Sequence, residues 1–326
     1  MKKWLRRLAI GALIGLLLFA GLTFLRRQLA RQQINQEKHA VSSALPVDIG
    51  ETNTLEILPL YENAGLPGLQ TGHGVSYLVR TDNSTILFDV GFNLEAASPS
   101  PLMQNMNALG ISLDDVDTIA ISHRHPDHLG GQNWWTKGTF SLDGTTQAPL
   151  GNIPVYVPEE MTYPGIVPVL SHEPAVLADG IATTGVIPYL QPFPVWLATP
   201  KGDEQALAVN VAGRGIILIT GCGHMGLESL LARAEAVFED PVVGIVGGLH
   251  YGSATLDSLQ PEIALLDGLD PVVVALSPHD SDQVVLDGFA QAFPEAYVPI
   301  MVGQPIVVSA VAASPYSGDE LAATTD

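Results

Sequence analysis

Six residues, His123-Arg124-His125-Pro126-Asp127-His128, constrain this chain more than any other stretch. Four of the six are metal-ligand types. They follow the apolar run Thr118–Ser122 and precede Gly130-Gly131, so they occupy a turn at a strand's C-terminal end. His123 and His125 are two apart, and in extended backbone both side chains point to one side. Asp127 and His128 continue round the turn toward a second position. Imidazole with carboxylate suits Zn²⁺, Mn²⁺ or Fe²⁺. A two-metal centre with ions ~3.5–4 Å apart is therefore expected, able to polarise a phosphoryl or acyl oxygen. Surface histidines in a polar turn are the competing reading. A single histidine would favour it, and four ligand types in six residues do not.

The surrounding pattern is α/β. Leu55–Leu60, Ser76–Arg80 and Thr85–Val90 read as strands, the last two joined by Thr81-Asp82-Asn83-Ser84. Pro101–Leu109 reads as a helix closed by Gly110. Gly215–Thr220, Val242–Val246, Pro271–Leu276 and Val298–Val302 read as strands, and Leu227–Phe238, Leu259–Leu266 (capped by Ser258) and Asp282–Phe293 as helices. Residues 137–200 hold ten of the 24 prolines and read as a loop-rich insertion lining a substrate cleft. Three of the strands run into histidine-bearing turns. Strand ends are where layered α/β folds place their sites.

At the N-terminus, Leu8 to Leu25 carries no charge and only Thr23 is polar. As a helix this run spans about 27 Å, close to a hydrocarbon core. A cleaved signal peptide would be shorter and would end in small residues. This run ends in Phe24-Leu25-Arg26-Arg27, which reads as an uncleaved signal-anchor. Lys2, Lys3, Arg6 and Arg7 precede it against Arg26, Arg27 and Arg31 after it, which places the large domain on the extracytoplasmic side. The expected organisation is a flank and transmembrane anchor over 1–27, a polar stalk over 28–50, a catalytic domain over 51–310 and an acidic mobile tail over 311–326.

Eight of the fourteen Lys/Arg lie in residues 1–40. Six basic and 33 acidic residues remain beyond them, a net charge of −27. Nucleic acid is excluded as a partner, since phosphate backbones need a basic stripe. The membrane and a small-molecule substrate are the expected partners. The single cysteine, Cys222, permits no intrachain disulfide.

The run His123–His128 matches the His-x-His-x-Asp-His signature of the metallo-β-lactamase superfamily, and Phe88-Asp89-Val90-Gly91 resembles that family's earlier strand-Asp-x-Gly motif. A narrower resemblance is to the dihydropterin-6-methyl-aminobenzene ribofuranosyl 5′-phosphate synthase-like branch. It rests, in order from about residue 55 to 308, on His73-Gly74-Val75-Ser76, Phe88–Gly91, Leu109-Gly110-Ile111, the histidine run, Gly221-Cys222-Gly223-His224, Gly247-Gly248-Leu249-His250 and Pro278-His279. The chain departs from the branch pattern at Val90, Arg124, Pro126 and Gly223, and in lacking cysteines around His279.

The resemblance implies an αβ/βα sandwich with the site at one edge, and metal-activated attack of hydroxide on a small phosphoester or ester-like substrate. It implies two divalent ions, Zn²⁺ first. His123 and His125 would hold the first, and Asp127, His128 and His279 the second, with Cys222 or His224 completing the site. His172 is the remaining histidine between the first cluster and that turn. Asp127 would also accept a proton. Asp89 would brace the histidine turn, while His73 and His250 would contact substrate or ligands, or merely pack. Arg124 would point to solvent or clamp an anion. Two other readings are a pterin-related synthase-like transferase and a metal-binding sensor or scaffold without turnover.

Overall fold

The computed structural model describes residues 2–41, 46–192, 195–197 and 199–311. Residues 312–326, nearly all of the expected tail, lie outside them, as does the side chain of His39. In chain order the elements are α1 (Lys2–Val41), β1 (Thr54–Tyr61), β2 (Ser76–Arg80), β3 (Thr85–Phe88), α2 (Pro101–Ala108), β4 (Thr118–Ala120), α3 (Gln132–Thr136), β5 (Val155–Val157), β6 (Val169–Leu170), β7 (Val176–Ala178), β8 (Ile181–Thr183), β9 (Ile187–Leu190), β10 (Lys201–Glu204), β11 (Leu207–Val211), β12 (Gly215–Thr220), α4 (Leu227–Val237), β13 (Val242–Gly247), α5 (Leu256–Asp267), β14 (Val273–Leu276), α6 (Gln283–Ala292) and β15 (Ile306–Ser309).

Two mixed sheets face each other. One has the order β15-β1-β2-β3-β4-β5-β6 and the other β14-β13-β12-β11-β8-β7. Alternation along the strands builds three apolar layers. Leu55, Ile57, Tyr77, Val79, Ile86 and Phe88 meet Leu207, Val209, Ile217, Ile219 and Val246 between the sheets. Leu58, Leu60, Leu78, Leu87 and Ile119 turn outward to Leu102 and Met106 of α2. On the other side, Ile216, Leu218, Ile245 and Val274 turn outward to α4, α5 and α6 through Leu230, Leu259 and Phe289. This is the expected αβ/βα sandwich. Its parallel pairs, β3 with β4 and β12 with β13 and β14, send their C-terminal ends to one edge.

Several expectations change. The stretch read as a stalk continues α1 to Val41 and docks on the domain, with Ala30 and Ile34 buried. Its polar composition hid a one-sided stripe, Thr23, Arg27, Ala30, Ile34 and Glu37, whose 3.5-residue spacing keeps it on one face. The domain begins before residue 51, since Ile49 is in the core and the Val47 amide donates to the Val237 carbonyl. Residues 298–302 are not a strand. Pro299 lacks the donor a ladder needs, and only the amides of Val298 and Val302 pair, with Val274 and Ala64. The cap of α5 is Thr255, whose hydroxyl accepts from the Ser258 amide, so the helix starts earlier. The insertion over 137–200 holds more than loops: β5 and β6 extend one sheet, β7 and β8 the other, and β9 pairs with β10 as a separate hairpin.

Candidate metal centre

The turns at this edge bring all seven expected ligands into two groups. His123, His125 and His224 form one. Asp127, His128, Cys222 and His279 form the other. Within each group the donor atoms lie within 4.8 Å of one another. His125 Nδ1 lies 3.0 Å from His123 Nε2 and 3.1 Å from His224 Nε2. Cys222 Sγ lies 3.1 Å from His128 Nε2 and 3.2 Å from His279 Nε2. Cys222 and His224 were alternatives in the sequence; the structure brings in both, one per group. His172 is exposed and belongs to neither.

Each inward nitrogen is set by what its ring holds on the far side. Asp89, buried and at φ 60°, takes a left-handed turn that an aspartate tolerates. Its carboxylate accepts from the Ser122 amide at 2.7 Å and the Ser122 hydroxyl at 2.6 Å, and it lies 2.6 Å from His128 Nδ1. Ser122 has then given away its proton, so its oxygen accepts from His123 Nδ1 at 2.9 Å. Both rings keep Nε2 bare and facing inward. The second group repeats the device. Ser277 donates to Glu62, and its oxygen accepts from His279 Nδ1 at 2.5 Å. Glu62 is itself held by the Tyr77 hydroxyl at 2.7 Å.

The turn after β12 is fixed by Glu204 at the end of β10. Its carboxylate accepts from the amides of Cys222, Gly223 and His224 at 3.1, 2.8 and 2.8 Å. Gly221 allows close packing there, since a Cβ would lie 2.2 Å from Ser122 Oγ. Glu62, Ser122, Glu204 and Ser277 were not singled out from the sequence. The only available signal was a serine one residue before His123 and two before His279. Tyr189 of β9 stacks on His224 with ring centroids 4.9 Å apart, so the insertion does reach the site.

The peripheral residues sort by position. His73 Nε2 stands 3.3 Å from Asp127 Oδ2, and its ring is exposed at the mouth. His250 is exposed too, its ring 4.4 Å from that of His224, while its amide donates to Asp280. Arg124 neither reaches solvent freely nor points at the ligands. Its guanidinium donates to the Trp135 carbonyl, and the Trp135 indole donates back to the Arg124 carbonyl.

The electrostatics favour a cation between these groups. Burial lowers His125 to about 4 and His224 to about 2, and holds His123 well below its usual range. All three stay neutral and ready to donate lone pairs. Burial alone would raise Asp127, but His128, His73, His279 and His125 pull it far below the usual carboxylate range. Burial and the neighbouring carboxylates keep the Cys222 thiol protonated without a metal. Burial pushes His279 down, but Asp280 and Glu62 outweigh it and set its pKa at about 9. Glu204 is raised by burial to about 7 despite its three amide donors. His125 Nε2 is buried with no hydrogen-bond partner. Converging imidazoles, three of them already neutral, with a carboxylate and a thiol fit a borderline-soft divalent ion.

The metallo-beta-lactamase superfamily profile matches residues 69–140, which include Asp89 and the histidine run. The 7,8-dihydropterin-6-methyl-4-(beta-D-ribofuranosyl)-aminobenzene-5'-phosphate synthase of Methanocaldococcus jannaschii is 26% identical over 263 residues, covering 68% of this chain and 86% of that protein. Competence protein ComA of Neisseria gonorrhoeae is 30% identical over 203 residues, 60% of this chain and 25% of that one. A solved metal-dependent hydrolase of the beta-lactamase superfamily shares the fold at a TM-score of 0.54 and 19% identity, over 78% of this chain and 99% of that one.

Proposed function

We propose, from the likeness of its histidine run and fold to the metallo-β-lactamase superfamily, that this chain is a membrane-anchored hydrolase dependent on two divalent ions, Zn²⁺ in the first place, acting on a phosphoester or ester-like substrate. One observation carries the reading. Two donor groups share one site, and in each a carboxylate–serine pair holds the outer nitrogen of a histidine so that its Nε2 faces inward. Ions there would acidify water and draw charge from a phosphoryl or acyl oxygen.

The chain's own groups do the rest. Asp89 with Ser122, and Glu62 with Ser277, hold the outer protons of His123, His128 and His279 in place. Asp127 stays ionised and serves as a ligand first; the low pKa that suits it to that role makes it a weak proton acceptor. His73 stands at the mouth against Asp127, positioned to pass a proton to a departing oxygen. The net charge of −27 beyond residue 40 argues for a small-molecule substrate and against nucleic acid. Helix α1 is long and apolar enough to cross a membrane, and the basic flanks favour an extracytoplasmic domain.

Full-length protein reconstituted with Zn²⁺, Mn²⁺ or Fe²⁺ is to be assayed on bis(p-nitrophenyl) phosphate, a lactone and a thioester. The expected result is turnover of at least one, falling at least about a hundredfold in a His125→Ala/Asp127→Ala variant. Metal-loaded protein inert on all three would contradict the hydrolase reading. The Methanocaldococcus synthase supports a second reading, a pterin-related transferase, because it aligns over most of both chains. Transfer of a 7,8-dihydropterin-6-methyl group from its pyrophosphate ester to a ribofuranosylaminobenzene 5'-phosphate acceptor, with release of pyrophosphate and no ester hydrolysis, would favour it.

A further inference from the structure

Helix α1 has two halves. Trp4 to Leu22 is exposed throughout, and over those residues it is apolar apart from Arg6 and Arg7. From Thr23 to Glu37 one stripe lies against the domain. Thr23, Ala30 and Ile34 are buried, and Glu37 pairs with Lys201 at 2.7 Å. On the anchor reading above, the helix would leave the bilayer already fastened to the protein, with Arg26 at the level of the headgroups and Arg27 turned onto the domain.

Near that level Arg26 and Arg27 both reach residues 195–197. Arg26 donates to the Leu197 carbonyl at 3.4 Å, and the Arg27 guanidinium lies 5.3 Å above the Trp196 ring. This segment lies in the connection between β9 and β10, with Val195 exposed and Trp196 and Leu197 half-buried. Aromatic and aliphatic residues beside arginines suit a membrane interface. The other end of the hairpin is part of the metal centre. Glu204, paired with Ile187 at that far end, clamps the Cys222–His224 turn, and Tyr189, one pair in from the tip, stacks on His224. Four residue pairs separate the two ends, roughly 10–14 Å of strand.

We propose that the substrate is the ester- or phosphoester-bearing head of a membrane amphiphile, taken from the leaflet beside Arg26 and Arg27 and guided along this hairpin. The inference rests on the hydrolase reading above. Charge narrows the class further. A domain carrying −27 is repelled by anionic surfaces, whereas a zwitterionic head presents no net charge to it. Cleavage adds one water: its oxygen bonds to phosphorus or to the acyl carbon, and the departing alcohol oxygen takes the proton.

The test uses full-length, zinc-loaded protein in dioleoyl phosphatidylcholine vesicles. Products are identified by mass spectrometry, and the soluble dibutyroyl analogue serves as the comparison. The head and both acyl esters are common to the two substrates. The expected rate on the bilayer lipid is at least tenfold higher, and a Val195→Ser/Trp196→Ala variant loses that advantage while keeping its rate on the soluble analogue. Brominated phosphatidylcholine should also quench tryptophan fluorescence less in Trp196→Phe than in the unaltered protein. Equal rates on both substrates, indifferent to the tip variant, would overturn the proposal and leave the hydrolase reading standing. Cleavage of neither lipid alongside turnover of bis(p-nitrophenyl) phosphate would also overturn the proposal alone. Inertness on every substrate would overturn both.

Discussion

The ligand residues differ in how many protons they must give up. His123, His125 and His224 are neutral before any ion arrives, because burial disfavours their charged forms. Cys222 carries a thiol proton, and His279, at about 9, carries a second proton at neutral pH. Filling the site at pH 7.5 should therefore release at least about two protons, all from the second group, where, against burial, Asp89 and Asp127 raise His128 as well. Titration with Zn²⁺ in buffers of different ionisation enthalpy would count them. Cys222→Ser should remove about one from that count. Release of none would mean that the thiol and His279 are not ligands. The ligands were legible because six of the seven come from two short runs, His123–His128 and Cys222–His224. Their braces were not. Glu62 meets Ser277 across 215 positions, and Glu204 meets its turn across 18 to 20. Nothing local marks a glutamate at a strand's end as a brace, because only the closed fold brings it to its partner.

Among the elements, α1 departs most from its sequence pattern. Beyond Arg27 it is polar enough to pass for a free stalk, yet Ala30 and Ile34 make it a docked helix. Burying a carboxylate on that stripe should free it. Ile34→Asp is expected to cost at least about 2 kcal/mol of docking. Hydrogen exchange should then quicken over residues 30–37 while the β12–β14 amides stay protected. Unchanged exchange would show that the stripe does not hold the helix. The central strands were readable from alternation, since each of their two faces meets its own apolar layer. Residues 298–302 misled for a related reason. Val298, Ile300 and Val302 alternate like a strand, with Ile300 and Val302 buried, but Pro299 breaks the ladder.

At the scale of the whole molecule, the site concentrates buried charge that the metal-free protein must tolerate. His123, His125 and His224 have depressed pKa values, so below about 6.5 the unfolded chain binds three protons that the folded chain does not. Glu204 works the other way, because its raised pKa keeps one proton in the folded state between about 4.5 and 7. Near pH 6 the three imidazoles outweigh Glu204, while the carboxyls of Glu159, Asp203, Glu262 and Asp280, all raised by burial, oppose the trend as pH falls further. Metal-free protein should therefore lose stability as pH falls from about 6.5 to about 5.5, and chemical denaturation across that range would show it. A flat profile would mean that these imidazoles are solvated.

The central claim is that the two donor groups hold two ions. The direct measurement is metal content per chain by mass spectrometry, on the full-length protein beside His125→Ala/Asp127→Ala. About two ions per chain, lost in the variant, is the predicted result. No bound metal after reconstitution with Zn²⁺, Mn²⁺ or Fe²⁺ would contradict the account at its root.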